Sequence, residues 1–310
     1  MPQRVTSAAL FAALLALLAG CGSSNSSSGA GLRGGARQGT LRVVAAEDFW
    51  GSVAAQLAGA KANVQSIIAD PNGDPHSYEP KAADGRTMAT SQLAIVNGVG
   101  YDKWAPKLLA ANPAGDRIVL TVADVLGLKE GDNPHRWYSP VDVETVADTV
   151  TTDLKKLDPN DAAFFDARRR AFDTTALARY HALIAQIKGR YAGVPIGASE
   201  SIFALQAPAL GLNLRTPPDF LRAVSEGSDP TAQDKATIDS QIARHQIKVW
   251  IYNPQNATPD IRRINQAAQA QDIPITTITE TLTPAGASFQ QWQVTQLEAL
   301  QAALRTATGR

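Results

Sequence analysis

The sequence predicts an α/β protein of two lobes, each a mainly parallel sheet flanked by helices, joined by one long helix. Three observations carry the fold. Short Val- and Ile-rich runs recur along the chain, separated by helix-length segments. They fall into two sets on either side of a stretch, Pro159 to Gly189, whose interior holds no Pro or Gly and whose apolar residues keep helical spacing. The 310 residues are 44% hydrophobic and 19% charged, a composition that supports two packed lobes and argues against extensive disorder.

In chain order, the amino terminus reads as an address. Arg4 precedes an apolar run, Ala8 to Ala19, too short for the roughly 20 residues that a membrane span takes. It ends in Leu18-Ala19-Gly20-Cys21, which resembles the bacterial lipobox. That resemblance implies a signal peptide over residues 1–20, cleavage before Cys21 and lipidation of its thiol, anchoring the protein to the outer face of the cell membrane. A Gly/Ser-rich segment follows, so residues 21–40 are expected to be the lipidated Cys and a tether.

Candidate strands in the first lobe, residues 41–157, are Leu41–Ala46, Val64–Ala69, Leu93–Asn97 and Ile118–Val122. Ser139-Pro140 opens a helix with a hydroxyl cap and Pro at the first position, and Val143, Val146, Val150, Leu154 and Leu157 form its apolar stripe. Residues 158–191 form the connecting segment, whose run from about Pro159 to Gly189 predicts a continuous helix about 45 Å long at 1.5 Å per residue, with Phe165, Phe172, Tyr180, Ile184, Ile187 and Tyr191 at helical spacing. The second lobe, residues 192–310, has candidate strands Pro195–Ala198, Ile247–Tyr252 and Ile273–Thr279, then an amphipathic helix from Ser288 to about Leu304.

Lys plus Arg equals Asp plus Glu, and no basic tract offers the electrostatic footprint of a nucleic-acid binder. Cys21 is the only cysteine, which excludes an intramolecular disulfide and thiolate-rich zinc sites. Any metal must therefore be held by nitrogen and oxygen.

Of the four histidines, His181 lies mid-helix and His245 ends a helix, and both read as exposed or structural. His76 and His135 differ. His76 sits in Asp74-Pro75-His76-Ser77-Tyr78-Glu79-Pro80 and His135 in Asn133-Pro134-His135-Arg136-Trp137-Tyr138-Ser139-Pro140. Each follows an Asx-Pro pair on a loop after a predicted strand, and the flanking prolines stiffen the backbone that presents the imidazole. Neutral His is the commonest metal ligand. The local pattern alone leaves coordination and loop packing both open.

Asp74 to Pro80 resembles the Asp-Pro-His-x-Tyr-Glu-Pro signature of zinc- and manganese-specific solute-binding lipoproteins of ABC importers, the cluster A-I (cluster 9) family. Asn97-Gly98-Val99-Gly100-Tyr101-Asp102-Lys103-Trp104 is similar to its Asn-Gly-x-Gly-x-Asp-x-Trp segment, and Asn133 to Pro140 to its Asn-Pro-His-x-Trp-x-x-Pro segment. The resemblance runs from Leu41 to Leu304. It implies a four-ligand site, two ligands per lobe: His76 and His135, then Glu200 in Ser199-Glu200-Ser201-Ile202-Phe203, then Glu280 after Ile273-Pro274-Ile275. For Glu200 the competing reading is a carboxylate complementing a helix N-terminus, and for Glu280 a surface-loop acid. Glu79 is a rival acid beside His76. Ser139 stands where the family often has Asp, and the His- and Asp-rich loop of zinc-specific members is missing.

The resemblance implies transport rather than catalysis. The transported ligand is expected to be a divalent ion, Mn²⁺ or Zn²⁺ with Fe²⁺ admitted, since two imidazoles and two carboxylates make a mixed nitrogen–oxygen site. The expected partners are an ABC permease and its ATPase, and the protein is expected to be a monomer. Rival readings are a metal-stabilised adhesin and an exported metallohydrolase. No His-Glu-x-x-His or Gly-x-Ser-x-Gly occurs for the latter.

Overall fold

A computed structural model describes residues 39–71 and 75–310. The signal peptide, Cys21, most of the tether and Asp74 lie outside the described residues. Among the described residues no helix is long and apolar enough to cross a membrane.

The first part runs β1 (Leu41–Glu47), α1 (Asp48–Ala58), β2 (Ala62–Ile68), α2 (Ala82–Ala89), β3 (Leu93–Val96), α3 (Trp104–Ala111), β4 (Ile118–Thr121) and the short α4 (Val122–Val125). Three helices follow: α5 (Pro140–Leu157), α6 (Ala162–Ala171) and α7 (Ala178–Tyr191). The second part runs β5 (Pro195–Ala198), β6 (Asn213–Leu214), α8 (Pro218–Ser225), α9 (Ala232–Ala243), β7 (Val249–Tyr252), α10 (Pro259–Ala270), β8 (Ile275–Thr277) and α11 (Phe289–Thr308).

Two four-stranded sheets result, in the orders β2-β1-β3-β4 and β6-β5-β7-β8. Every pairing is parallel. β3 is buried along its whole length, as expected when helices cover both faces of a parallel sheet. In each sheet the strand order reverses at one point, between β1 and β3 and between β5 and β7. Open α/β sheets form their crevice there, beyond the carboxyl ends of the strands.

Sequence signals set the helix ends. Ser139 Oγ accepts the Asp142 N–H at 3.4 Å, with Pro140 at the first helical position. At α11, Ser288 and Gln291 form a reciprocal capping box.

The connecting segment departs from the continuous helix the periodicity predicts. Between α6 and α7 the chain makes a π turn over Phe172–Ala176, and Leu177 N–H reaches back five residues to the Phe172 carbonyl at 2.9 Å. Asp173, Thr174 and Thr175 are weak helix formers, and the inserted residue resets the phase of the buried stripe. Phe165 and Phe172 on one side and Tyr180, Leu183 and Ile187 on the other stay buried. One contiguous buried cluster runs from Leu41 through Trp137 and Tyr180 to Leu304, so the two sheets share a core.

Candidate metal centre

The His76 loop follows β2, and a short 3₁₀ turn, Pro75–Ser77, holds the imidazole. Tyr78 anchors this loop through its hydroxyl, which donates to Asp84 Oδ2 at 2.7 Å. His135 sits where the chain enters the Arg136–Tyr138 turn, and its side chain is fully buried.

Asn133 fixes how His135 presents itself. Its Nδ2 donates to the Ser201 carbonyl at 2.7 Å, and its Oδ1 accepts the His135 backbone N–H at 3.0 Å, which orients the amide. The same Oδ1 lies 2.8 Å from His135 Nδ1. A carbonyl oxygen can only accept, so a neutral His135 carries its proton on Nδ1 and offers a lone pair at Nε2.

The segment Asn97–Asp102 also organises the site. Asn97 and Gly98 donate their backbone N–H groups to the two oxygens of Asp102, at 2.7 and 2.8 Å. Gly98 has φ +82°, and a Cβ there would lie 2.8 Å from Ala123 Cβ, so no other residue fits without movement. Asn97 takes the Trp50 indole N–H on Oδ1 and donates Nδ2 to the Pro134 carbonyl. Through these bonds the β1/β3 crevice holds the loop that carries His135. The turn aims Tyr101 across the lobes, where its hydroxyl donates to Glu280 Oε2 at 2.8 Å.

Glu280 comes from the loop after β8 and is 1% exposed, which excludes the surface-acid reading. Its Oε2 lies 3.3 Å from His76 Nε2 and 3.8 Å from His135 Nε2. Donor atoms of these three residues all fall within 4.8 Å of one another. Burial alone would raise the Glu280 pKa, but His135 and His76 pull it well below the usual carboxylate range. The imidazoles lower it as donors, so a proton between His135 Nε2 and Glu280 Oε2 holds these atoms together, in a place that a metal cation can take.

Glu200 stands just outside this triad. It is buried, lies two residues past β5 and makes no capping hydrogen bond to the turn that follows. Asn253, immediately after β7, donates from Nδ2 to Glu280 Oε1 at 3.1 Å and lies 3.5 Å from Glu200 Oε2. The β5/β7 crevice thus holds the two carboxylates of the second lobe through one shared amide. Glu79 is exposed and takes no part in the triad.

Sequence reading missed Asn253, Gln255 and the role of Tyr101. The signal for Asn253 was present: Asn253-Pro254 repeats the Asx-Pro pair that precedes both site histidines. Gln255 accepts the Glu280 N–H on Oε1 at 2.6 Å and donates to the Pro71 carbonyl at 2.9 Å, tying the Glu280 loop to the other lobe.

Residues 43–303 match the sequence profile of the family described as zinc-uptake complex component A, periplasmic. The chain is 28% identical over 160 residues to the manganese-binding lipoprotein MntA of Halalkalibacterium halodurans, covering 50% of this chain and 51% of that one. It is 21% identical over 263 residues to the high-affinity zinc uptake system protein ZnuA of Bacillus subtilis, covering 77% and 78%. The matched stretch thus spans about half the length of the first relative. In fold, the chain superposes on the Cd-bound periplasmic metal binding protein of Candidatus Liberibacter asiaticus with a TM-score of 0.71 at 16% identity, over 86% of this chain and 100% of that one.

Proposed function

Because the chain belongs to the zinc-uptake complex component A family of periplasmic proteins, we propose that it is the extracytoplasmic receptor of an ABC importer for a divalent transition-metal ion. The observation that carries this reading is the convergence of His76, His135 and Glu280 from both lobes on one point. We assign His76, His135 and Glu280 as ligands, and Glu200 as the fourth, drawn in when the cation arrives. Its place beside Glu280 under the shared Asn253 amide supports that role.

Three side chains are poised and one stands back, so the site gains a donor as it loads. Two nitrogens and two carboxylate oxygens suit Mn²⁺, Fe²⁺ and Zn²⁺, with Zn²⁺ the stronger binder among them in vitro. The two carboxylates would neutralise the ion's charge. Cys21 is the proposed membrane anchor, and a permease with its ATPase the proposed recipient. Cargo relayed this way is captured and released unchanged, and no catalytic step is assigned.

Calorimetric titration with Mn²⁺ and Zn²⁺ tests the assignment. His76→Ala and Glu280→Ala should each lower affinity by at least about tenfold, and Glu200→Ala by less, because it enters last. Wild-type affinity in both of the first two variants would remove the site.

A further inference from the structure

The turn after β7 meets Glu280 at two places. Asn253 donates from Nδ2 to Glu280 Oε1 at 3.1 Å, and Gln255 Oε1 accepts the Glu280 backbone N–H at 2.6 Å. The turn, Pro254–Asn256, also fixes Asn253. The Gln255 backbone N–H donates to Asn253 Oδ1 at 2.9 Å, which leaves Nδ2 for the carboxylate.

The Gln255 side chain reaches the other lobe as well. Its Nε2 donates to the Pro71 carbonyl at 2.9 Å and to the Thr281 hydroxyl. Pro71 lies between β2 and the Pro75–Ser77 turn that presents His76. One amide therefore bridges the segment leading to His76 and the backbone N–H of Glu280. Chemistry determines both of its ends, since a backbone N–H can only donate and a carbonyl can only accept. An ionised glutamate of the same length could not donate to Pro71, and a lysine could not accept from Glu280. Thr281 reinforces the junction, its Oγ donating to the Asp70 carbonyl at 3.2 Å.

We propose that Gln255 is a positioning residue that straps the His76 and Glu280 segments together and so sets how fast the cation leaves. This role rests on the receptor reading above and falls to a side chain that touches no metal. Of the three converging donors His76 is 23% exposed, whereas His135 and Glu280 are buried. An arriving ion meets His76 first, and Glu280 completes the grip. Without the strap, holding the two segments together would draw on the metal's own bonds. Losses of that kind show in the rate of escape far more than in the rate of capture. The bonds to the Glu280 N–H and the Pro71 carbonyl each shift an equilibrium by roughly 2- to 12-fold.

Stopped-flow release of Zn²⁺ from the loaded full chain into excess fluorescent zinc chelator, beside the rate of Zn²⁺ capture, tests this. Gln255→Ala should speed release at least about fivefold, while capture changes by less than about twofold. Gln255→Glu separates the strap from simple support of Glu280, because it keeps an acceptor for the Glu280 N–H and loses the donor to Pro71. Its added negative charge attracts the cation, so fast release from this variant too is the expected signature. Gln255 is partly exposed, and near-UV circular dichroism of both metal-free variants should match the wild type.

Release at the wild-type rate from Gln255→Ala, or capture slowed as much as release is quickened, would overturn the strap. Slow release from Gln255→Glu beside fast release from Gln255→Ala would assign the effect to Glu280 alone and also overturn it. In each of these outcomes the wild type still binds Zn²⁺, and the receptor reading stands. A wild type that takes up no Zn²⁺ would remove the receptor reading and the strap with it.

Discussion

A neutral imidazole ligates through the nitrogen that lacks a proton, and at His135 that choice falls to Asn133. The amide whose oxygen lies 2.8 Å from Nδ1 is locked by two further bonds, Oδ1 accepting the His135 backbone N–H and Nδ2 donating to the Ser201 carbonyl. Such outer partners set ligand orientation and basicity, and their loss lowers metal affinity by about 10- to 100-fold. Asn133→Ala should do this with the fold intact, read by calorimetry beside near-UV circular dichroism. Asn133→Asp keeps an acceptor at Nδ1 and should retain most of the affinity. Equal binding by the Ala variant would mean that another group sets the tautomer, Ser201 Oγ at 3.2 Å being the nearest alternative. His76 and His135 were legible as candidate ligands because prolines flank them. Asn133 was legible as an Asx-Pro turn residue, but its contact with Nδ1 depends on a rotamer that no spacing encodes. Glu280 could be read only through the family resemblance, since an acid after a short strand carries no local signature.

The Glu280 loop is bound to the opposite lobe by its neighbours as much as by the site. Thr281 Oγ donates to the Asp70 carbonyl at 3.2 Å, and the Leu282 N–H donates to Asp48 Oδ2 at 3.1 Å. Asp48 opens α1 and is buried. Burial raises its pKa to about 7, partly offset by the Leu282 N–H. Its neighbour Glu47 is pushed up as well, by burial and then by Asp102 and Asp48. The folded protein therefore keeps a proton on Asp48 up to about pH 7, whereas the unfolded chain releases it near pH 4. Between those values the folded state binds more protons, so stability falls as pH rises through the window. A shift of about three units corresponds to roughly 4 kcal/mol at most. Urea unfolding at pH 5 and pH 8 should show Asp48→Asn losing about 2 kcal/mol less than the wild type over that interval, whereas parallel losses would assign the pH dependence elsewhere. Sequence periodicity located seven of the eight strands among the described residues, and the helices that Ser139 and Ser288 cap. It missed β6, whose two residues, Asn213 and Leu214, are too few for a pattern. It also missed the π turn at Phe172–Ala176, because the same apolar stripe continues on both sides.

At the scale of the whole molecule, the two sheets meet at their crevices, and each crevice holds part of the candidate site. Asn97, beyond β3, ties down the His135 loop, while Glu200 and Asn253 follow β5 and β7. The shared core and the helices α5 to α7 and α11 leave little freedom for the lobes to part as rigid bodies. Loading should therefore move side chains and loops, with Glu200 closing toward Glu280. A ligand that binds only the folded state stabilises it by RT ln(1 + [L]/Kd), about 2.7 kcal/mol at a hundredfold excess over Kd. Because the donors come from both lobes, this stabilisation should reach the molecule as one cooperative unit. Scanning calorimetry should show a single transition rising with Mn²⁺ or Zn²⁺ concentration. Glu280→Ala should nearly abolish the rise while His181→Ala keeps it, since His181 lies with Glu144 and Asp173 in a separate, partly exposed cluster. Acid should also weaken the rise, because protons compete with the metal for the imidazole lone pairs. Two separated transitions, with only one responding to metal, would mean that the cation is gripped by a single lobe, and the interlobe site would have to be abandoned.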